Sequence, residues 1–224
     1  MKFPIAKIFT FITLTAVLAT GSLKANAEIN QPFSRDTSKA MSYPDKSTDI
    51  SPLLIGESIP AVKIPASDGQ LYDLNASITQ KPTILVFYRG GWCPFCNKEL
   101  AGIQTIQADL VKMGYQIIAI STDSPENLSK SIDKNQLTYK LLSDADLAVS
   151  KQFGLAFKAP AAYGKTLEAG SNGKNIDKLL PVPSVFILDK KGVILFEYIN
   201  PDFRQRISPE LMLSVAASLS KVNK

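Results

Sequence analysis

Cys93 and Cys96 are the only cysteines in the 224-residue chain, and two residues separate them. That spacing lets both sulfurs meet across one helical turn and cycle between dithiol and disulfide. The stretch they close, residues 83–96, reads Thr-Ile-Leu-Val-Phe-Tyr-Arg-Gly-Gly-Trp-Cys-Pro-Phe-Cys. Ile84, Leu85, Val86 and Phe87 are an unbroken apolar run, as expected of a strand covered on both faces. Gly90 and Gly91 let the backbone turn without steric cost. From Pro94 to about Met113 the apolar residues Leu100, Ile103, Ile106, Leu110 and Val111 recur at helical spacing. Pro94 suits the first helical turn, where its missing N–H has no intrahelical partner to lose. The two cysteines therefore fall at a strand-to-helix junction, on the positive end of the helix.

A thiolate is the reactive form of cysteine, and a helix N-terminus favours negative charge. In Cys-x-x-Cys arrangements at such ends the free-thiol value of about 8.5 falls to roughly 3.5–7.5. The spacing predicts Cys93 as the first and more exposed sulfur and Cys96 as the one nearer the helix interior.

Plainer explanations stand beside this one. The pair would also serve as a structural disulfide, although so short a loop stabilises by only roughly 2 kcal/mol on the chain-entropy model. A zinc site needs about four ligands, whereas this chain has two cysteines and no histidine. The missing histidine also removes Cys–His hydrolase chemistry. Trp92 either packs beside the motif or grips a partner. Arg89 reads as a salt-bridged structural residue, with a cation beside the sulfur as the sharper alternative. Glu99 reads as a solvated charge, and Asn200–Arg204 as a loop before the last helix.

The elements that must hold this junction come from the rest of the chain. Residues 1–27 read as a cleavable export signal, with Lys2 and Lys7, a short apolar stretch and the Ala25-Asn26-Ala27 cleavage pattern. The expected product is periplasmic or secreted, beginning at Glu28, with no stable membrane span. Removing that leader takes away three lysines and no acid, so the formal charge drops from +5 to +2. So small a charge, with no Lys/Arg cluster interleaved with aromatics, gives no case for nucleic acid. Residues 28–50 read as a flexible lead-in, and 51–224 as one domain; a composition 45% hydrophobic marks that domain as globular.

Within the domain, Asp68-Gly69 predicts an N-terminal β-hairpin between flanking apolar segments. Strands are expected at Tyr115–Ser121 and Tyr139–Leu142, and helices at Pro125–Lys134 and Asp144–Phe153. A late hairpin over 185–198 and a closing helix from Pro209 to Val222 follow. Residues 155–180 read as one short helix plus a mobile Gly/Asn/Ser-rich loop from Glu168 to Asp177. The order describes an α/β fold, a central mixed sheet with helices on both faces.

Phe87–Cys96, Val182-Pro183-Ser184-Val185-Phe186-Ile187-Leu188-Asp189 and the Asp-Gly hairpin together resemble the thioredoxin superfamily. Within it the chain is similar to the peroxiredoxin-like proteins of the alkyl hydroperoxide reductase/thiol-specific antioxidant (AhpC/TSA) group, over roughly Pro52 to Leu219. The resemblance implies a thioredoxin-like fold, a cis peptide bond before Pro183, and a Val182 backbone free to pair with an extended thiol substrate. In peroxiredoxins a Pro and a Thr or Ser precede the peroxidatic cysteine by seven and three residues. If Cys96 takes that cysteine's place, those positions hold Arg89 and Cys93, and the family's late-strand arginine aligns with Pro183.

Catalysis is thus expected at Cys93 and Cys96, with Trp92, Arg89, Val182 and Pro183 positioning substrate, and no metal or organic cofactor is needed. Trp-Cys-x-x-Cys with a cis-Pro favours thiol–disulfide exchange. Thiol-dependent reduction of a hydroperoxide is the alternative, and a redox-inactive binding module the third reading. In either enzyme reading a reductant protein or small thiol restores the dithiol.

Overall fold

The apolar run before the cysteines forms β3 (Thr83–Tyr88), whose six residues are all buried. The structure, a computed structural model, describes residues 42–222. The expected leader and residues 28–41 of the lead-in lie outside these. β3 is the middle strand of a five-stranded sheet of order β5-β4-β3-β8-β9. Its neighbours are β4 (Gln116–Ser121), parallel, and β8 (Ser184–Leu188), antiparallel. β5 (Lys140–Ser143) adds in parallel to β4, and β9 (Ile194–Ile199) antiparallel to β8.

Side chains alternate along β3, so two cores form. Ile84, Val86 and Tyr88 pack with Leu100, Ile103 and Leu110 of α2 (Pro94–Lys112), Leu128 of α3 (Pro125–Asn135), and Met212 and Ala216 of α6 (Pro209–Val222). Leu85 and Phe87 pack on the opposite face with Leu74 and Ile78 of α1 (Leu74–Ile78) and Val149 of α4 (Ala148–Gln152). Both faces of the sheet are therefore covered by helices, the thioredoxin-like arrangement expected. The predicted hairpin is β1 (Lys63–Pro65) with β2 (Leu71–Asp73), turning at Gly69 with φ of +78°.

Four expectations give way. The helix foreseen from Asp144 begins only at Ala148, because the buried Asp144 carboxylate sits before it and accepts from the Val149 and Ser150 N–H groups at 2.9 and 2.8 Å. Residues 155–180 hold more structure than one helix and a loop. β6 (Ala156–Lys158) pairs with β7 (Leu179–Pro181), and α5 (Gly164–Ser171) takes up the first residues of the supposed mobile loop. Its remainder is pinned by the buried Asn175, whose side chain bonds both the N–H and the C=O of Leu179.

The third concerns residues 42–50, which belong to the domain and not to a flexible lead-in. Pro44 accepts from the Lys158 N–H at 2.8 Å, Asp45 pairs with Lys158 at 2.8 Å, and Ser47 donates to the Pro201 carbonyl. The fourth is Pro183: no cis peptide bond occurs among the described residues, so the bond before it is trans. No described helix is long and apolar enough to cross a membrane.

Candidate active site

Cys93 is the N-cap of α2, with extended backbone at φ −88° and ψ 118°, and Pro94 opens the helix as predicted. The turn from β3 is held from two sides. Asp123, beyond the end of β4, accepts from the Gly91 N–H at 2.7 Å, and Asn97, one turn into α2, donates to the Gly91 and Cys93 carbonyls at 2.8 and 3.2 Å. Asn135 of α3 in turn donates to Asn97 Oδ1 at 2.9 Å. Burial pushes the Asp123 carboxyl up to about 6, against the bonds from Gly91 and Ser121. Gly90 adopts φ +146°, a conformation side-chain-bearing residues rarely take.

Both cysteines are free thiols and both are buried, Cys93 at 1% and Cys96 at 0% exposure. Cys96 is the deeper of the two, as expected, but Cys93 is also nearly covered. What separates the two is charge preference. A hydrogen bond from the Cys96 thiol favours Cys93 as a thiolate, and the Cys96 backbone N–H, Arg89 and Arg206 add to it. These outweigh desolvation and bring Cys93 down to about 6. Cys96 moves the other way, raised by burial and by the proton it shares with Cys93. A proton shared by the pair is therefore favoured on Cys96.

Arg206 was not foreseen. It lies between β9 and α6, 110 residues from Cys96, and its Nη2 stands 3.6 Å from the Cys96 sulfur. Its Nε bonds Glu99 Oε2 at 2.9 Å, with side-chain exposures of 10% and 3%. Glu99 is thus no solvated charge but half of a buried ion pair. Burial raises its carboxyl to about 7 despite the Arg206 guanidinium. A signal existed in the sequence: Glu99 follows Cys96 by three residues and sits on the apolar stripe with Leu100 and Ile103, where an acid calls for a partner.

Arg89 makes no salt bridge among the described residues. The side chain is 3% exposed, and its guanidinium lies over three aromatic rings, at 4.2 Å from Phe203, 4.7 Å from Tyr163 and 4.9 Å from Trp92. Trp92 packs on Tyr163 at 5.4 Å, so it lies beside the motif as part of this box. Tyr163 comes from the segment before α5, which brings residues 155–180 to the site.

Val182 does not offer its backbone to a substrate. Its N–H donates to the Leu155 carbonyl at 3.0 Å, continuing the β6–β7 pairing, and its carbonyl accepts from Ser184 Oγ at 2.9 Å. Pro183 lines a cavity of about 410 Å³ together with Arg89, Tyr163 and Phe203. Among the described residues no three metal-ligating side chains cluster. The chemistry available is that of two thiols, two guanidinium groups and a protonatable carboxyl.

Comparison with known proteins places this geometry. Residues 55–196 match the AhpC/TSA family. Peroxiredoxin Bcp of Escherichia coli is 30% identical over 165 residues, covering 74% of this chain and 96% of that protein. A putative peroxiredoxin of Mycobacterium tuberculosis is 30% identical over 155 residues, covering 69% and 88%. Among solved structures, peroxidoxin BcpB of M. tuberculosis superposes with a TM-score of 0.61 at 20% identity, covering 76% of this chain and 97% of that one. Peroxiredoxin 6 of Arenicola marina gives 0.65 at 17% identity, covering 77% and 76%. At such identities these two speak for the fold alone.

Proposed function

The chain belongs to the AhpC/TSA family of thiol oxidoreductases, and on that premise we propose that it reduces hydroperoxides with the Cys93 thiolate and stores the oxidation as a Cys93–Cys96 disulfide. The Cys93 thiolate attacks one peroxide oxygen, the O–O bond breaks, and the departing alkoxide or hydroxide takes up a proton. Cys93 is left as a sulfenic acid. The Cys96 sulfur then attacks Cys93, the S–O bond breaks, and water leaves as the disulfide forms. A thiol reductant, protein or small molecule, returns two electrons and two protons by exchange.

The observation that carries the reading is the match of residues 55–196 to the AhpC/TSA family and to peroxiredoxin Bcp. The thiol pair fits it, with Cys93 favoured as the thiolate by the Cys96 thiol and, after it, by Arg89 and Arg206. Both guanidinium groups are fixed before reaction and meet the negative charge that develops as the O–O bond lengthens. The sequence-level preference for disulfide exchange loses two supports, the cis-Pro and the free Val182 backbone, while the relatives favour peroxide. Disulfide exchange stays as the second reading because the same lowered Cys93 serves it equally. We propose as well that residues 1–27 are an export leader, on their lysines, apolar stretch and Ala25-Asn26-Ala27 pattern; N-terminal sequencing of the mature protein would test it, with Glu28 the expected first residue.

The deciding experiment is stopped-flow oxidation of the reduced protein, followed by Trp92 fluorescence, against hydrogen peroxide, an organic hydroperoxide and glutathione disulfide. The expected result is peroxide oxidation far faster than that of a free dithiol at the same pH. Cys96→Ser should retain the fast step and accumulate a sulfenic acid that dimedone traps. Rapid reaction with disulfides and none with peroxides beyond the free dithiol would make the protein an exchange enzyme. Slow reaction with both would leave only the binding-module reading.

A further inference from the structure

Arg89 carries a buried charge that no carboxylate among the described residues answers. None of the ion pairs among the described residues involves it, and its side chain donates no hydrogen bond to them. The acids nearby are already engaged. Asp202 holds Arg204 through two bonds at 2.9 and 3.0 Å, and Glu99 holds Arg206. Three aromatic faces offset part of the cost of burying the guanidinium, but rings supply no acceptor for its five N–H groups. Among the described residues the anion left to it is the Cys93 thiolate, whose charge it favours.

The same guanidinium forms one wall of the cavity of about 410 Å³. Phe157, Leu180, Pro181 and Phe203 supply apolar walls, and Pro160 stands exposed at its rim. Ser47 and the mutually paired Asp202 and Arg204 complete the lining, which leaves Arg89 as its one polar group with no carboxylate partner among the described residues. A cavity of this size, largely apolar with one unpaired cation, has the make-up of a small-molecule site. The polar group is a fork of donors suited to a carboxylate. We propose that this cavity binds an apolar monocarboxylate, its carboxylate on Arg89 and its chain along Phe157, Leu180 and Pro181, and that ligand and Cys93 thiolate share this one cation.

Sharing makes the affinity depend on redox state. The titratable and charged groups around Arg89 are Cys93, Tyr163 and the Asp202–Arg204 pair. Of these only Cys93 loses a negative charge when the disulfide forms. The oxidised protein then has an unanswered guanidinium and binds the carboxylate more tightly than the reduced one. Linkage makes the effect reciprocal, so bound carboxylate stabilises the disulfide against the dithiol.

The test is calorimetry of the full chain with octanoate and with 1-octanol at pH 8, in the disulfide and the dithiol states. Expected are saturable one-to-one binding of octanoate, several-fold tighter to the disulfide form, and binding of 1-octanol weaker by about tenfold or more, the worth of a charge-assisted bond. Arg89→Gln should lose a similar factor. Pro160→Trp, which fills the rim and leaves Arg89 in place, should lose binding as well, so a poorly folding Arg89 variant does not leave the idea unjudged. Absence of octanoate binding, equal binding of the alcohol, or full affinity in both variants would overturn the site. Equal affinity in the two redox states would overturn the sharing of the cation. Because the readout is heat of binding, it stands or falls apart from peroxidase activity.

Discussion

Two arginines approach the thiol pair, and they are held in opposite ways. Arg206 is a paired cation: Glu99 bonds it at 2.9 Å, and it reaches the Cys96 sulfur at 3.6 Å. Arg89 is an unpaired one, cradled by Trp92, Tyr163 and Phe203 without an acid. A paired guanidinium lends its neighbours little net field while its carboxylate is ionised; an unpaired one lends them all of it. Cys93 is the sulfur to ionise chiefly because the Cys96 thiol donates to it; the contrast bears on what the cations add, where Arg89 exerts the larger pull of the two. Arg206, bound up with Glu99, acts chiefly where the deeper sulfur must be oriented.

The contrast is broken most severely by removing the sulfur itself. Cys93→Ser should abolish the fast peroxide phase entirely, while at pH 6, where the Cys93 thiolate adds little stability, the protein keeps its thermal unfolding midpoint to within a few degrees. Next in size is Arg206→Met, which leaves Glu99 buried without a partner. Removing one member of a buried pair costs about 3–5 kcal/mol. Here the loss should fall at the low end, about 3 kcal/mol at pH 8, because Glu99 escapes by binding a proton. Denaturant unfolding at pH 5.5 and 8 checks this, and the variant should be hurt less at the lower pH.

A third change sharpens the comparison. Arg89→Gln should raise the Cys93 pKa by about one unit or more, as loss of a neighbouring opposite charge does. Thiolate absorbance at 240 nm reads the shift directly, and Arg206→Met should move it less. The smallest effect is a pair of slopes of opposite sign. Glu99, raised in the fold from 4.5 to about 7, binds more protons folded than unfolded, so it removes stability as pH rises from about 4.5 to 7. Cys93, lowered from 9.0 to about 6, contributes stability that is full above 9 and lost as pH falls to 6. Reduced protein should therefore gain stability between pH 6 and 9 relative to Cys93→Ser, and Glu99→Gln should flatten the decline below pH 7.

How legible these features were in the sequence follows from how locally each is determined. The apolar run of β3, the Gly69 turn, Pro94 at the head of α2 and the spacing of the cysteines are settled within a few residues, and all were readable. The late start of α4 was not, because Asp144 capping Val149 and Ser150 competes with the helical periodicity that runs through it. Arg206 joins the site across 110 residues, and Tyr163 and Phe203 reach Arg89 from separate segments. No local pattern announces such meetings. The Pro183 expectation came from resemblance and not from spacing, and the pairing of Val182 with Leu155 is what the chain does instead.

The burial of both sulfurs has a kinetic consequence of its own. At 1% and 0% exposure, neither sulfur of a disulfide formed in place could be met by a bulky thiol without local opening. A peroxide of a few atoms needs far less room to arrive than a protein does to depart with electrons exchanged. In the proposed peroxide cycle, turnover would then have a fast, permissive half and a slow, guarded one. The guard is the folding stability of the site's own cover, so conditions that loosen the domain slightly would quicken the cycle before they spoiled it.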